Sequence, residues 1–287
     1  MIRFAFVVIC LCGSAWAEPS LKANGALRWE VDAPWFGGWS GIEITASGTK
    51  MTALSDRGQL VQATLTRDQG RLSSVTIDHS VRISDAKGGP LKKLAVDSEG
   101  LAIHDTGRVH VSFEHRHRIM DTDPETGRTS GLIKLPFRKT MNNNGGLEAL
   151  AISADGTLFT LPETAPPDGA PFPLYAYKDG HWHVSAHIPQ RGPFLPVGAD
   201  FDSNGRLWLL ERTVTPLGFR SRVRLFVFDG DASREYTLLN TIPARFDNLE
   251  GISAWDDPKG QMHITMISDD NFLPIQSTQI VDYLVLE

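Results

Sequence analysis

The segment Asp97-Ser98-Glu99-Gly100-Leu101-Ala102 recurs along the chain in related forms, each with an acidic residue beside small residues and close to an apolar strand. The related segments are Gly41-Ile42-Glu43-Ile44, Gly146-Leu147-Glu148-Ala149-Leu150-Ala151, Gly198-Ala199-Asp200-Phe201 and Asn248-Leu249-Glu250-Gly251-Ile252-Ser253. Successive acids lie roughly fifty residues apart, and a period of that length is typical of propellers and other repeat architectures. This repeat decides the fold.

A turn and a second strand that ends in an acid follow each of these segments. The turns include Asp155-Gly156 and Asn204-Gly205, and such dipeptides between apolar runs are the strongest short signal for a hairpin. Two more strand-like runs complete most units, as His181 to Ile188 does in the third. Four antiparallel strands per repeat predict an all-β fold, the β-propeller.

The number of strands indicates how the ring closes. The last unit contains three strands, and the N-terminal run from Gly25 to Val31 lies outside every unit. That run can supply the missing outer strand, which predicts a five-bladed propeller closed by its N-terminal strand. The long first repeat keeps six blades as an alternative, and a β-sandwich also has regularly spaced strands.

The first seventeen residues predict a cleavable signal peptide. Arg3 supplies a positive start, the run from Phe4 to Cys12 is apolar, and Ala15-Trp16-Ala17 places small residues at a cleavage site. The apolar run is too short to span a bilayer as a helix. We expect cleavage after Ala17, a periplasmic or secreted protein, and a single propeller domain over residues 18–287.

The cysteine content and the net charge exclude several classes of function. The two cysteines, Cys10 and Cys12, lie inside the expected signal peptide, so cysteine catalysis, cysteine-ligated metals and a disulfide-linked partner are excluded for the mature chain. The formal net charge is −6 without a basic block, which argues against nucleic acid as a partner. The sequence has no second apolar stretch that is long enough to predict a membrane span. We expect a monomer.

The repeated acids predict a functional site, because loops before the first strand and after the second strand of a blade lie on one face of a propeller. If every acid follows the repeat, ten carboxylates surround one mouth: Glu43, Asp56, Glu99, Glu114, Glu148, Glu163, Asp200, Glu211, Glu250 and Asp269. Folding alone does not require such a cluster, since converging carboxylates repel and a desolvated anion is costly unless it is paired.

Three chemical outcomes are open for this cluster. All of its members except Glu114, together with Asp270 of the oxygen-rich loop Ser268-Asp269-Asp270-Asn271, are candidate metal ligands, and Ca²⁺ prefers such oxygen donors. The acids can instead pair with Arg57, Arg116 and Arg212. Raised pKa values would suit some of them to general acid or base catalysis.

The candidate catalytic residues come from two loops. Glu114-His115-Arg116-His117 combines a carboxylate, imidazoles and a guanidinium, and Glu114 and His115 are predicted to move the proton. Arg57 and Arg116 are predicted to stabilise a developing anion. Gly-x-Ser-x-Gly, P-loop and His-Glu-x-x-His motifs are absent from the sequence.

Six segments in order resemble the phytase-like family, also called "esterase-like activity of phytase" proteins. They are Trp39-Ser40-Gly41-Ile42-Glu43, Ser55-Asp56-Arg57-Gly58, Asp97-Ser98-Glu99-Gly100-Leu101, Phe113-Glu114-His115, Asn248-Leu249-Glu250-Gly251 and Ser268-Asp269-Asp270-Asn271. The resemblance runs from about Gly37 to the C-terminus. It implies an exported β-propeller and, more loosely, a hydrolase; calcium-dependent propeller phytases are more distantly similar.

Two functions from different classes follow. The first is a metal-dependent hydrolase of a small phosphate or carboxylic ester, with calcium as the expected ion. The second is a non-catalytic propeller of the cell envelope that binds a ligand or a protein, in which the acidic ring is structural. A sugar lactonase with one central calcium is a third hypothesis.

Overall fold

The fold was analysed in a computed structural model that describes residues 18–45, 48–138, 141, 145–230 and 232–287. The expected signal peptide at residues 1–17, with both cysteines, lies outside the described residues. In chain order, the strands are β1 (Ser20–Arg28), β2 (Trp39–Ile44), β3 (Lys50–Ser55), β4 (Gln59–Asp68), β5 (Arg71–Arg82), β6 (Ser98–Ile103), β7 (Val109–Phe113), β8 (Arg118–Thr122), β9 (Thr129–Ile133), β10 (Ala149–Ile152), β11 (Leu158–Leu161), β12 (Phe172–Lys178), β13 (His181–Ile188), β14 (Leu195–Phe201), β15 (Leu207–Thr215), β16 (Gly218–Asp229), β17 (Ala232–Asn240), β18 (Asn248–Asp256), β19 (Met262–Asp269) and β20 (Gln279–Leu286).

The strands form five antiparallel sheets of four, and each sheet is one blade of a β-propeller. Blades one to four each use four consecutive strands, starting with β2, β6, β10 and β14. Blade five has the order β1-β20-β19-β18, so the N-terminal strand is its outer edge. This confirms the five-bladed fold and the N-terminal closure, and it excludes the six-bladed and sandwich alternatives.

Short 3₁₀ helices occur at Lys93–Ala95 and Pro167–Gly169. Among the described residues, no helix is long and apolar enough to cross a membrane.

Glycine allows the first strands of the five blades to approach one another at the axis. A Cβ atom added at Gly100 would lie 2.7 Å from the backbone oxygen of Glu148, and one at Gly198 would lie 2.4 Å from that of Glu250. A Cβ at Gly251 would lie 2.9 Å from the backbone nitrogen of Ile42. These contacts leave no room for a side chain, which explains why glycine follows the bulged position of several first strands.

Small residues fill the axis and separate the two ends of the disc. The axial space between the first strands is about 10 Å³, close to the minimum that one water molecule needs. The central channel is therefore closed by packed side chains, and each end of the disc forms its own mouth.

Apolar side chains between the blades form the rest of the core. Trp39 of β2 is fully buried and stacks on Trp29, with a centroid distance of 4.9 Å. Trp208 and Phe226 of blade four are also fully buried. Such near-continuous apolar strands are expected where each sheet is covered on both faces.

Buried serine hydroxyls join neighbouring blades. Ser40 donates to the Ser98 carbonyl at 2.9 Å, and Ser98 donates back to the Ser55 carbonyl at 2.7 Å. Ser253 of blade five accepts the Ile44 N–H of blade one at 3.0 Å. These bonds satisfy backbone groups that the sheets leave unpaired at the blade junctions.

Candidate active site

One mouth of the propeller collects most of the predicted acids, and we call it the acidic mouth. Its members are Asp56, Asp97, Glu99, Glu114, His115, Glu148, Glu163, Arg212, Asn248, Glu250, Asp269 and Asp270. The first strands begin here and the second strands end here. Seven of the ten candidate metal ligands lie in this group, together with the candidate proton carriers Glu114 and His115.

Backbone pairing at the strand ends holds the acids of the second strands in place. The N–H of Asp56 donates to the Gly38 carbonyl at 2.7 Å, that of Glu114 to Asp97 at 2.9 Å, and that of Glu163 to Gly146 at 3.1 Å. The same contact therefore fixes one acid in each of the first three blades.

Glu43 and Asp200 do not join this group, because they occupy a different register of the repeat. The Glu250 position is a bulge between Leu249 and Gly251, and its counterparts in blades one and four are Ser40 and Val197. Glu43 and Asp200 lie three residues further along their strands, near the ends of β2 and β14. The side chains consequently face the other end of the disc.

We call that other end the opposite mouth; Glu43, Asp200 and Ser253 line it. Asp200 accepts the N–H groups of Ala254 at 2.7 Å and Phe201 at 2.8 Å. Ser253 donates to Glu43 at 3.4 Å. Burial raises the pKa of Asp200 to about 7, and burial followed by the charge of Asp200 raises the pKa of Glu43 well above its ordinary value.

Glu211 also lies apart from the acidic mouth, inside blade four. Its carboxylate is fully buried and accepts from Arg222 at 2.6 Å and from Arg224 at 2.8 and 2.5 Å. The expectation that it shares the mouth is wrong because β16 places Arg222 directly opposite it and Arg224 two residues further along. Glu211 pairs with both buried guanidinium groups, of which Arg224 also pairs with Glu235, and it has no free oxygen pair for a metal.

Arg212 places a positive charge among the carboxylates of the acidic mouth. Its guanidinium donates to Glu163 at 3.0 Å, to the Asn248 side-chain oxygen at 2.8 Å and to Glu250, and it lies 4.0 Å from Glu148. Burial acts to lower the pKa of Arg212, but Glu250, Glu148 and Glu163 together raise it above its usual value. The arginine stays charged and neutralises part of the cluster.

Several carboxylates of the acidic mouth hold protons more tightly than usual. Burial, and then the charge of Asp269, raises the pKa of Asp56 to about 7; burial, and then Glu250, raises that of Asp269 to about 7. Burial also raises the pKa of Glu99 and Glu148 well above the ordinary value. One arginine does not compensate this many acids, so protons or cations must supply the rest.

The strongest candidate for a metal site is the triad Asp97, Glu114 and His115, whose ligand atoms lie within 4.8 Å of one another. The His115 Nε2 atom is 3.0 Å from Asp97 Oδ2 and 3.8 Å from Glu114 Oε2. The Gly146 N–H donates to the other oxygen of Glu114 at 3.1 Å. His115 has a positive φ of 51°, which is uncommon for a residue other than glycine.

The sequence reasoning missed Asp97 as a ligand, although a signal was present. The residue that pairs with the second-strand acid is Gly38, Gly146, Pro196 or Asn248 in the other blades. Only blade two has an acid at that position, so only there do two carboxylates lie side by side at the strand ends. The run Asp97-Ser98-Glu99 contains this information, but the repeat comparison considered Glu99 alone.

Glu99 lies next to the triad, beside Asp97. Burial raises the pKa of Asp97, and a hydrogen bond with the Glu99 side chain acts to lower it; two carboxyl groups can form such a bond only when one of them is protonated. Burial, and then the charges of Glu148 and Glu250, raises the pKa of Glu99 well above its ordinary value.

Asp270 and Arg57 lie at the rim between blades one and five. Asp270 accepts the N–H groups of Gly38 and Phe272, both at 3.0 Å, which orders the loop. The guanidinium of Arg57 stacks on the Phe272 ring, 3.2 Å from its centroid. Asp270 thus has a structural role in the loop, and Arg57 is held at the edge of the mouth.

Arg116 points away from the carboxylates into a groove of about 1080 Å³ between blades two and three, which we call the basic groove. Its lining consists of His115, Arg116, His117, Arg118, Leu132, Lys134, Leu135, Pro136, Arg138, Gly180, His181 and Trp182. The sequence reasoning did not find it, because its lining comes from three separate segments.

Three solved structures are similar to this chain over most of its length. The PQQ-bound aldose sugar dehydrogenase of Streptomyces coelicolor has 11% identity and a TM-score of 0.53, over 94% of this chain and 99% of that one. A protein of unknown function from Dyadobacter fermentans has 10% identity and a TM-score of 0.49, over 93% and 99%. A gluconolactonase from Xanthomonas campestris has 16% identity and a TM-score of 0.43, over 85% and 72%.

At such low identity the dehydrogenase supports the fold alone. No curated protein is detectably similar in sequence. The family profile described as "esterase-like activity of phytase" matches residues 34–272, which include all five first strands and both mouths. The chain therefore belongs to the phytase-like family.

Proposed function

We propose that the protein is an exported, metal-dependent hydrolase of phosphate or carboxylic esters that acts at the acidic mouth. The observation that carries the proposal is the triad of Asp97, Glu114 and His115 beside Glu99, whose pKa is raised by burial. Family membership supports an esterase-like hydrolase. Export rests on the sequence of residues 1–17.

The residues of the triad suit a divalent cation. Two carboxylates and one imidazole within 4.8 Å are a donor set that Zn²⁺ and Mn²⁺ accept, whereas Ca²⁺ prefers oxygen ligands alone. We therefore propose that a transition metal binds the triad, and that calcium, the ion expected from the sequence, would use the all-oxygen side of the mouth near Glu148, Glu250 and Asp269. When bound, such an ion supplies Lewis acidity toward an ester oxygen.

The chain itself supplies proton transfer and anion binding around the triad. Glu99 holds a proton beside Asp97 and can donate it to a leaving group. Arg57, held on Phe272 at the rim, offers its guanidinium edge to a developing anion. Glu114 and His115, the predicted proton carriers, are assigned here as ligands instead, because both are in contact at the centre of the triad.

The test combines metal binding with hydrolysis. Protein treated with EDTA is assayed with phosphate monoesters, aryl esters and lactones, before and after addition of Zn²⁺, Mn²⁺ or Ca²⁺. We expect activity with Zn²⁺ or Mn²⁺, and Asp97→Asn and His115→Gln should weaken metal binding by at least about 100-fold. Calorimetric titration measures the affinity independently of turnover.

Glu43→Gln is the matched control, because it removes a carboxylate from the opposite mouth. It should leave metal affinity and activity unchanged. The proposal fails if none of the three ions restores hydrolysis of any ester, or if Glu43→Gln and Asp97→Asn weaken metal binding equally.

Arg212 favours a second candidate, a propeller that binds a ligand or protein without catalysis. Its contacts with Glu163, Glu250 and Asn248 resemble a structural neutralisation of the ring. In that case metal would raise the melting temperature while every ester remains uncleaved, which distinguishes the two functions.

A further inference from the structure

The basic groove combines a strong positive charge with the absence of acids. Four permanent cations line it, namely Arg116, Arg118, Lys134 and Arg138, and no aspartate or glutamate is among the lining residues. This local excess stands out in a chain with a formal charge of −6. Asp97 and Glu114 adjoin the groove where His115 contacts them, and Asp179 precedes Gly180 in the chain.

The cations of the groove have no carboxylate partners among the described residues. None of the four takes part in an ion pair there, unlike Arg206, Arg212, Arg222 and Arg224, which all do. Arg118 donates only to the backbone oxygens of Arg116 at 2.9 Å and Ala95 at 2.6 Å, and to the Met120 sulfur. Burial and the neighbouring Arg116 lower its pKa to about 10. Its guanidinium also lies over the Phe113 ring, 4.0 Å from the centroid. With no carboxylate beside it among the described residues, its positive charge can attract an external anion.

One wall of the groove is aromatic. Trp182 lines it and donates its indole N–H to the Lys134 carbonyl at 3.0 Å, which fixes the ring. Phe137 supports Trp182 edge-on at 5.3 Å and stacks on Tyr175 at 3.6 Å. Leu132, half exposed, and Pro136 extend the apolar surface. The wall can contact a flat or apolar organic group while the cations contact its charge.

His115 connects the groove with the triad, because it lines the groove and contacts both Asp97 and Glu114. We propose that the groove binds the anionic part of the substrate, and that the substrate is an organic ester with an apolar body and a negatively charged group away from the scissile bond. This inference deepens the proposed hydrolase function and depends on it, because the bound molecule is a substrate only if the protein is a hydrolase. Binding of the anion to the groove itself does not depend on catalysis.

Binding is tested first, without metal, with naphthalene-2-sulfonate as an anionic probe and naphthalene-2-sulfonamide as its neutral counterpart. We expect the sulfonate to bind more tightly, to quench tryptophan fluorescence and to lose affinity as salt is added. Trp182→Phe should remove most of that quenching. The inference is overturned if the two probes bind equally, if the sulfonate does not bind, or if Trp182→Phe leaves the signal intact.

Paired variants locate the site of binding. Arg116→Gln combined with Lys134→Gln should weaken sulfonate binding about tenfold, since two charge-assisted contacts are removed. The control pair, Lys22→Gln with Arg71→Gln, changes the net charge equally at two exposed positions on other blades. An equal loss in both pairs would show a general charge effect and would contradict the assignment.

Turnover is tested separately with matched esters. The groove pair should raise KM for an aryl ester with a sulfonate on its ring about tenfold, and should leave kcat and the KM of the uncharged aryl ester unchanged. Equal KM values for the charged ester in the groove and control pairs would contradict a role in substrate binding. If no ester is cleaved, the hydrolase proposal fails, while the probe titration still decides whether the groove binds anions.

Discussion

The two mouths of the propeller both hold buried carboxylates, but they compensate the negative charge differently. The acidic mouth contains an arginine that contacts three glutamates and a histidine that contacts two acids. At the opposite mouth, Glu43 and Asp200 are hydrogen-bonded by serine and backbone N–H groups, without an ion pair to a described residue. The arginine at that end, Arg206, pairs with Asp202 and not with Glu43 or Asp200.

This difference indicates which mouth is suited to chemistry. At the opposite mouth, serine and backbone donors satisfy the two carboxylates, whose raised pKa values also favour their neutral forms, so there is little reason for an ion to enter. The acidic mouth has more acids than one guanidinium can neutralise, and its blade-two corner adds an imidazole. A cation can relieve the remaining repulsion there, which is the electrostatic basis of the proposed metal site.

The largest effect is expected when the arginine of the acidic mouth is removed. Arg212→Met leaves Glu148, Glu163 and Glu250 without their common partner, and breaking a buried ion pair typically costs about 3–5 kcal/mol. The free energy of unfolding, measured with urea at pH 7, should fall by that amount. The loss should shrink at pH 5, because protonation of the glutamates removes the uncompensated charge.

The control for this variant is Arg71→Met, on the exposed outer strand of blade one, which should change stability little. If Arg212→Met is as stable as the wild-type protein at pH 7, the arginine does not neutralise the mouth, and the contrast between the two ends loses its main support.

Metal addition should affect the two mouths unequally. At a concentration of 100 times its dissociation constant, an ion that binds only the folded state stabilises by about 2.7 kcal/mol. We expect Zn²⁺ or Mn²⁺ to stabilise the wild-type protein and Glu43→Gln by this amount, and Asp97→Asn much less. Thermal unfolding with and without EDTA measures the effect. Equal stabilisation of all three proteins would place the ion outside the triad.

The fold could be predicted from sequence because its determinants are local and repeated. Hairpin turns, strand length and the spacing of the acidic segments predicted five blades, and the unpaired N-terminal run predicted how the ring closes. The predicted strand His181–Ile188 has the observed bounds, whereas the predicted closing run, Gly25 to Val31, begins later than the observed strand at Ser20. Edge strands have fewer partners to define their limits.

The site could be predicted only in part, because it depends on register and on side chains from other blades. When the repeats are aligned by their acids alone, Glu43 and Asp200 match Glu250. The strand bulge and the glycine that follows it match Ser40 and Val197 with Glu250 instead. A shift of three residues moves a carboxylate to the other face of the disc. The pairing of Glu211 with Arg222 and Arg224 across β15 and β16 likewise depends on strand register.

The smallest expected effect is a pH dependence at the opposite mouth. Burial raises the folded-state pKa of Asp200 to about 7 and that of Glu43 well above its ordinary value. The folded protein thus binds protons more tightly than the unfolded chain, whose carboxyl groups titrate near pH 4. The stability from these groups is complete below about pH 4 and is lost as the pH rises toward and through 7. Glutamine at position 43 carries no charge to desolvate, so it should remove part of this loss.

The excess of Glu43→Gln over the wild-type protein in free energy of unfolding should therefore grow between pH 5 and pH 8, by about 1 kcal/mol. Urea titrations of both proteins in EDTA at pH 5, 6, 7 and 8 measure the difference, in which the unchanged acidic mouth cancels. A constant difference across this range would show that Glu43 does not change its protonation on folding. In that case its carboxylate would be compensated by the Ser253 and backbone donors alone, and a proton would play no part in the contrast between the two ends.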